Sequence, residues 1–207
     1  MSTDLTRIQI VVYDGFDELD AVGPFEVLRA AERAGAPLRT RWVGAAPCEA
    51  VTSGHGLRIA VDGALDGDCD WVLVPGGAWT DPSVPGCGAE IRRGALPRRL
   101  AALRAAGVKM AAVCTGTMLL AAAGVTRGRR AITHHVALDA LAESGAEVVR
   151  ARVVDDGDLI TAGGVTSGLD LALHMVDRLA GPAMARAGGV RMEYPAAPWA
   201  EASPKGG

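Results

Sequence analysis

The chain of 207 residues has an ordinary globular composition, 49% hydrophobic and 22% charged, which excludes an intrinsically disordered protein. Its formal net charge of −3 gives no long-range attraction to nucleic acid, so we expect no nucleic-acid partner. There is no run of 18 apolar residues and no apolar signal region at the N-terminus, so we expect a cytoplasmic protein with no membrane partner.

In the first half of the chain, strands alternate with helices. An apolar strand at 7–13 ends at Asp14, and Pro24 suits the first turn of the helix that follows. The pattern then predicts a half-exposed strand at 38–43, a small hairpin within 51–61 and a buried strand at 71–74 that runs into Gly76 and Gly77.

The second half continues this alternation. Leu96, Leu100 and Leu103 lie on one face of a predicted helix, and a helix at 134–144 is expected to turn Val136 inward. In the final long helix, the spacing places His174 on the exposed polar face with Asp170. Further predicted elements are strands at 111–113, 148–154 and 159–161, helices at 118–123 and 169–179, and a flexible tail at 196–207.

A short buried strand, an abrupt turn and an apolar helix surround Cys114. This order is typical of a nucleophile elbow, in which a sharp turn presents a reactive side chain at the end of a sheet. The N-terminus of the following helix would favour the thiolate, so we expect the pKa of Cys114 to be lowered. Most free cysteines are inert packing residues, so these residues alone leave both roles open.

Several chemically useful groups follow the carboxyl ends of the predicted strands, which is where open α/β sheets bind ligands. They include Asp20, Gly76, Gly77 and Thr166 besides Cys114. A carboxyl close to a thiolate would stay largely protonated and could act as a proton donor. Asp20 could equally cap a helix, because acidic residues are favoured in the first turn.

The cysteines, Cys48, Cys69, Cys87 and Cys114, show no C-x-x-C spacing, and no His lies at ligand spacing from them. We therefore expect free thiols and no metal site.

Four segments together resemble the ThiJ/PfpI family of the class I glutamine amidotransferase-like superfamily. They are Asp17–Pro24, Val74–Gly77, Ala112–Gly116 and Ala162–Asp170. Within the family, Cys114-Thr115-Gly116, Thr133-His134 and Met192–Pro195 most resemble the isonitrile hydratases. The resemblance implies a flavodoxin-like three-layer α/β/α sandwich with a mostly parallel sheet, formed by a single domain over residues 1–195.

The resemblance also implies roles for individual residues. Cys114 would be the nucleophile, Asp20 its acidic partner, Thr115 the residue that orients the adduct, and Gly77 a source of a backbone N–H in the site. We expect substrate contacts from Gly76, Gly77, His134, His135 and Thr166. Two positions depart from the relatives: Ala112 replaces a common glycine, and His135 stands where the hydratases have Trp.

The resemblance implies a homodimer that hydrates an isocyanide, a small-molecule substrate, without a cofactor. Two alternatives stay open. One is a ligand- or redox-sensing protein like the regulators that carry this domain, and the other is a glyoxalase or deglycase. Thr115 argues against the second, because such relatives place His directly after the nucleophile.

Overall fold

The computed structural model describes residues 5–81 and 83–194. Its strands and helices alternate along the chain as the sequence predicts. The strands are β1 (Thr6–Val12), β2 (Leu38–Gly44), β3 (Ala50–Thr52), β4 (Arg58–Ala60), β5 (Trp71–Val74), β6 (Lys109–Val113), β7 (Arg130–Ala131), β8 (Glu147–Val148), β9 (Val153–Asp155) and β10 (Leu159–Ala162). The helices are α1 (Glu18–Arg33), α2 (Cys87–Arg93), α3 (Ala95–Ala105), α4 (Gly116–Ala122), α5 (Leu138–Glu143), α6 (Ser167–Ala180) and α7 (Pro182–Arg191).

The central sheet has six strands in the order β2-β1-β5-β6-β10-β9. All neighbours pair in parallel except β9, which runs antiparallel to β10 at one edge. The direction of the strand order reverses between β1 and β5, and in doubly wound sheets the ligand crevice lies at this switch point. The predicted flavodoxin-like fold with a mostly parallel sheet is confirmed.

Two groups of helices cover the sheet. Helices α1, α6 and α7 pack against one another, and so do α2, α3 and α4. Strand β6 shows why both faces need a cover, because Met110, Ala111, Ala112 and Val113 are all fully buried. A strand that is apolar on both faces is stable only between two layers.

Outside the main sheet, β3 and β4 form the predicted hairpin, and β7 pairs with β8. The predicted helix at 134–144 is in fact a 3₁₀ turn at His135–Ala137 followed by α5, and Val136 is half exposed rather than turned inward. Within the described residues, every helix is too short or too polar to cross a bilayer. The predicted tail at 196–207 lies outside the described residues.

The prediction for His174 and Asp170 is wrong. His174 is buried, and its Nε2 lies 2.6 Å from Asp155 Oδ2, while Arg178 Nη1 lies 2.9 Å from the same carboxylate. Asp170 is fully buried and pairs with Arg152. Helical spacing identifies a polar face, but it does not show that β9 and its flanking loops carry polar partners that cover that face.

Candidate active site

The backbone at Cys114 has the strained geometry expected of a nucleophile elbow. Cys114 connects β6 to α4 with φ of +57°, a left-handed conformation that is unfavourable for a residue with a Cβ. Its N–H donates to Ala162 O at 3.1 Å and Gly163 O at 2.8 Å, so the end of β10 holds the turn in place. The predicted strand-to-helix position of Cys114 is confirmed.

Gly116 explains how the turn can be this tight. A Cβ at this position would lie 2.2 Å from Val74 O and 2.7 Å from Pro75 O, so only glycine lets α4 begin directly against the end of β5. The Cys-Thr-Gly sequence therefore holds the nucleophile against the end of β5, one of the two strands that border the switch point.

Asp20 lies in the first turn of α1 and is fully buried. Its Oδ2 accepts a hydrogen bond from Gly76 N at 2.9 Å. The helix cap is Asp17, whose Oδ1 accepts from Leu19 N at 3.1 Å, so the capping interpretation of Asp20 is wrong. Burial and then the charge of Asp17 raise the pKa of Asp20 to about 8, and the carboxyl is therefore mostly neutral at pH 7.

The thiol of Cys114 interacts with this carboxyl. A hydrogen bond donated by the Cys114 thiol partly offsets the rise in the pKa of Asp20, although Asp20 Oδ1 has no well-aligned donor within the described part of the chain. Burial and then Asp20 raise the pKa of Cys114 well above the usual range. The prediction of a lowered pKa is wrong, because the cost of burying a thiolate outweighs the N–H of Thr115, which favours it.

Thr115 joins the elbow to the loop after β5. Its Oγ1 donates to Gly77 O at 2.8 Å and accepts from Gly77 N at 3.0 Å. The Gly77 N–H is therefore already bonded and is not free for a substrate, contrary to the role that the resemblance implied. A Cβ on Gly76 would lie 2.6 Å from Thr115 Oγ1 and 2.8 Å from Asp20 Oδ2, so glycine is needed for both contacts.

The two predicted histidines lie side by side beyond the elbow. Their ring centroids are 4.1 Å apart, and a Cβ on Gly164 would lie 3.1 Å from His134 Cδ2. Burial and then His135 lower the pKa of His134. His135 is exposed, and Thr166 Oγ1 accepts from Arg152 Nη2 at 3.2 Å, so Thr166 is tied to an arginine rather than to the elbow.

Three supporting residues were not among the predicted site residues. Thr133 Oγ1 donates to Cys114 O at 2.9 Å, Cys87 Sγ donates to Thr115 O at 3.0 Å, and Tyr13 Oη donates to Pro75 O at 2.8 Å. Thr133 adjoins His134 in a segment that the sequence already singled out. Nothing in the sequence marks Cys87 or Tyr13, since their partners lie far along the chain.

Two openings flank the elbow. A cavity of about 700 Å³ occupies the switch point. On the other side, a groove of about 410 Å³ runs past Thr133, Gly163 and Gly164. No three His, Cys, Asp or Glu side chains come together as a metal site in the parts of the chain that the structure describes. The cavity is lined by Asp14, Gly15, Phe16, Asp17, Thr52, Ser53, Gly54, His55, Gly77, Ala78, Val84 and Pro85.

The model of the DJ-1/PfpI family matches residues 6–178. The chain belongs to this family. The isonitrile hydratase of Pseudomonas putida is 33% identical over 205 residues, which cover 96% of this chain and 83% of that protein. The HTH-type transcriptional regulator CdhR of Pseudomonas aeruginosa is 32% identical over 83% of this chain, which spans half of that protein. The crystal structure of a ThiJ/PfpI family protein from Pseudomonas syringae matches with a TM-score of 0.80 and 29% identity, covering 97% and 77% of the two chains.

Membership of the DJ-1/PfpI family confirms the resemblance drawn from the four motifs. These relatives include both an enzyme and a regulator. The choice between the two therefore depends on the chemistry that the elbow of this chain can perform.

Proposed function

We propose that the protein hydrates an isocyanide, R–N≡C, to the N-substituted formamide R–NH–CHO, with Cys114 as the nucleophile. One observation carries the proposal: a carboxyl that is mostly neutral at pH 7, Asp20, lies beside a thiol at a strained elbow. An isocyanide needs both a nucleophile and a proton at the same carbon. The similarity to the Pseudomonas putida isonitrile hydratase supports the same reaction.

In the first step, the thiol adds to the terminal carbon of the isocyanide. Asp20 gives its proton to that carbon, the sulfur of Cys114 forms the S–C bond, and the thiol proton passes to the carboxylate of Asp20. The product is a thioimidate, R–N=CH–S–Cys, and Asp20 is neutral again. Because the carboxyl acts as both acid and base, the reaction does not require a free thiolate at pH 7.

In the second step, water adds to the thioimidate carbon and a proton reaches the nitrogen. The tetrahedral adduct then expels the sulfur, which recovers its proton, and R–NH–CHO is released. The whole sequence adds one water to the isocyanide. The thiol and the carboxyl supply the bonding partner and the protons, so we propose no cofactor.

The surrounding residues hold this pair in place. The N–H of Gly76 donates a hydrogen bond to Asp20. The hydroxyl of Thr115 is hydrogen-bonded to both the N–H and the carbonyl oxygen of Gly77. The N–H of Thr115 points to the sulfur and is suited to orient the adduct. We propose that the substrate reaches Cys114 from the flanking openings, with His134 and His135 on one side.

The test is turnover of n-butyl isocyanide beside methylglyoxal. The wild type should form N-butylformamide, Cys114→Ala should form none, and Asp20→Asn should be slower by roughly two to four powers of ten, the span of a lost general acid. Asp139→Asn, at an exposed carboxyl of α5, is the control. Turnover of methylglyoxal but not of the isocyanide would instead support the glyoxalase or deglycase alternative.

The second candidate is a ligand-sensing protein, which the 32% identity to the regulator CdhR favours. Redox sensing at Cys114 fits the site less well, because oxidation proceeds through the thiolate, and burial raises the pKa of this thiol. Saturable isocyanide binding without formamide production would favour the sensing role.

A further inference from the structure

The two openings beside Cys114 differ in charge. The switch-point cavity carries two carboxylates, Asp14 and Asp17, and an imidazole, His55, which is paired with Glu18. The groove on the other side carries Arg150, Arg152 and His135, and none of its described lining residues is acidic. An electrostatic difference of this kind across a reactive group orients a charged substrate.

Two residues that line the groove are hydrogen-bonded to the backbone of the nucleophile. Gly163 O accepts from Cys114 N at 2.8 Å, and Thr133 Oγ1 donates to Cys114 O at 2.9 Å. Gly163 and Thr133 both line the groove. A ligand in the groove therefore lies next to the elbow, on the side where His134 packs over Gly164.

The two arginines have different surroundings. Arg152 Nε donates to Asp170 Oδ2 at 2.7 Å, so the buried carboxylate balances its charge and fixes its position. Arg150 is exposed and has no ion-pair partner among the residues that the structure describes. The groove therefore has one uncompensated guanidinium next to one that is held rigidly, and guanidinium groups bind carboxylates through paired N–H donors.

We propose that the groove is a subsite for a carboxylate group of the substrate, and that the substrates are isocyanides carrying a carboxylate, with Arg150 as the residue that selects for it. The proposal rests on the proposed hydration for the identity of the reacting group. The acidic switch-point cavity disfavours the same carboxylate, so the anionic end lies in the groove while the isocyano carbon lies at Cys114.

The test compares isocyanoacetate with its methyl ester, which has the same isocyano group but no charge. The wild type should have a higher kcat/KM for the acid. In Arg150→Gln, the ratio of the two kcat/KM values, acid over ester, should fall about tenfold, the effect of one hydrogen bond to a charged group, and mainly through KM. Arg186→Gln, which removes an exposed arginine of α7, should keep the wild-type ratio.

Equal kcat/KM values for the acid and the ester, or a ratio that Arg150→Gln leaves unchanged, would overturn the subsite while the hydration stands. If neither compound is hydrated, binding of N-formylglycine and its methyl ester decides the question. Preferential binding of N-formylglycine that is weakened in Arg150→Gln keeps the carboxylate subsite and removes the hydratase. Equal binding of both, or no binding of either, overturns the subsite as well.

Discussion

The neutral carboxyl of Asp20 links the chemistry to the pH dependence of stability. Its pKa is about 8 in the folded protein, against 3.8 for an ordinary Asp. The folded state therefore holds a proton that the unfolded chain releases above pH 4. Stability should fall as the pH rises from about 4 to 8, by an amount on the order of a few kcal/mol.

Asp20→Asn should remove this dependence, because an amide cannot ionise and its oxygen can still accept from Gly76. The variant should melt at a higher temperature than the wild type at pH 8, and the difference should shrink towards pH 4.5. Thermal unfolding at the two pH values measures it. If the difference in melting temperature between the variant and the wild type is the same at pH 8 and pH 4.5, Asp20 is not the buried acid described here.

The raised pKa of Cys114 should slow the alkylation of its thiol. Iodoacetamide reacts with thiolates, so at pH 7 the buried Cys114 should react more slowly than the exposed Cys48. Peptide mass spectrometry after short labelling compares the two sites in one sample. Faster labelling of Cys114 at pH 7 would show that the elbow favours the thiolate after all.

Sequence reasoning identified the pair at the residue scale and expected the carboxyl to stay protonated, but it predicted the wrong direction for the pKa of Cys114. The strand ends indicated that Cys114 and Asp20 would lie near each other, and the structure brings them together. The direction of the shift at Cys114 depends on how much water reaches the sulfur and on which oxygen it meets. Both quantities are properties of the packed molecule.

At the scale of elements, the loop after β5 depends on Gly76. Gly76→Ala places a methyl group within 2.8 Å of both Asp20 Oδ2 and Thr115 Oγ1, so one of these side chains must move. We expect a strong loss of activity and a destabilisation of about 1–3 kcal/mol. Gly67→Ala is the matched control, since its nearest neighbour would lie 3.8 Å away. Full activity in Gly76→Ala would show that neither contact matters.

The β3–β4 hairpin is tied to α1 through Glu18. His55 N donates to Glu18 Oε1 at 2.8 Å, His55 Nδ1 lies 2.5 Å from Oε2, and Ser53 Oγ also donates to this carboxylate. Burial alone would raise the pKa of Glu18, but the hydrogen bonds from His55 and Ser53 lower it to about 2. The hydrogen bond that Glu18 accepts from the His55 ring raises the pKa of His55.

Glu18→Ala should therefore free the tip of the hairpin. Hydrogen exchange at residues 53–57 should speed up. The control is Glu26→Ala, on the same helix as Glu18, which breaks an exposed ion pair with Arg191 of α7 and should not change the exchange. In the wild type, protection beyond the intrinsic pH effect should weaken as the pH rises through the raised pKa of His55. Unchanged exchange in Glu18→Ala would mean that backbone hydrogen bonds alone hold the tip.

At the scale of the whole molecule, alternating apolar strands and helices predicted the parallel sheet and its two covering layers. The polar cluster of His174, Asp155 and Arg178 could not be predicted, because Asp155 on β9 meets His174 and Arg178 of α6 only after folding. The charges of the two openings could not be predicted either, because the residues that line each opening come from distant parts of the chain. The homodimer and the single domain over 1–195 remain proposals.

The central claim is that Cys114 and the isocyanide form a covalent thioimidate. The most direct measurement is intact-protein mass spectrometry of n-butyl isocyanide turnover quenched within one catalytic cycle. The wild type should gain the full mass of the isocyanide, on the peptide that contains Cys114, and the adduct should disappear as N-butylformamide forms. Formamide production with no adduct at Cys114, or continued production by Cys114→Ala, would contradict the account.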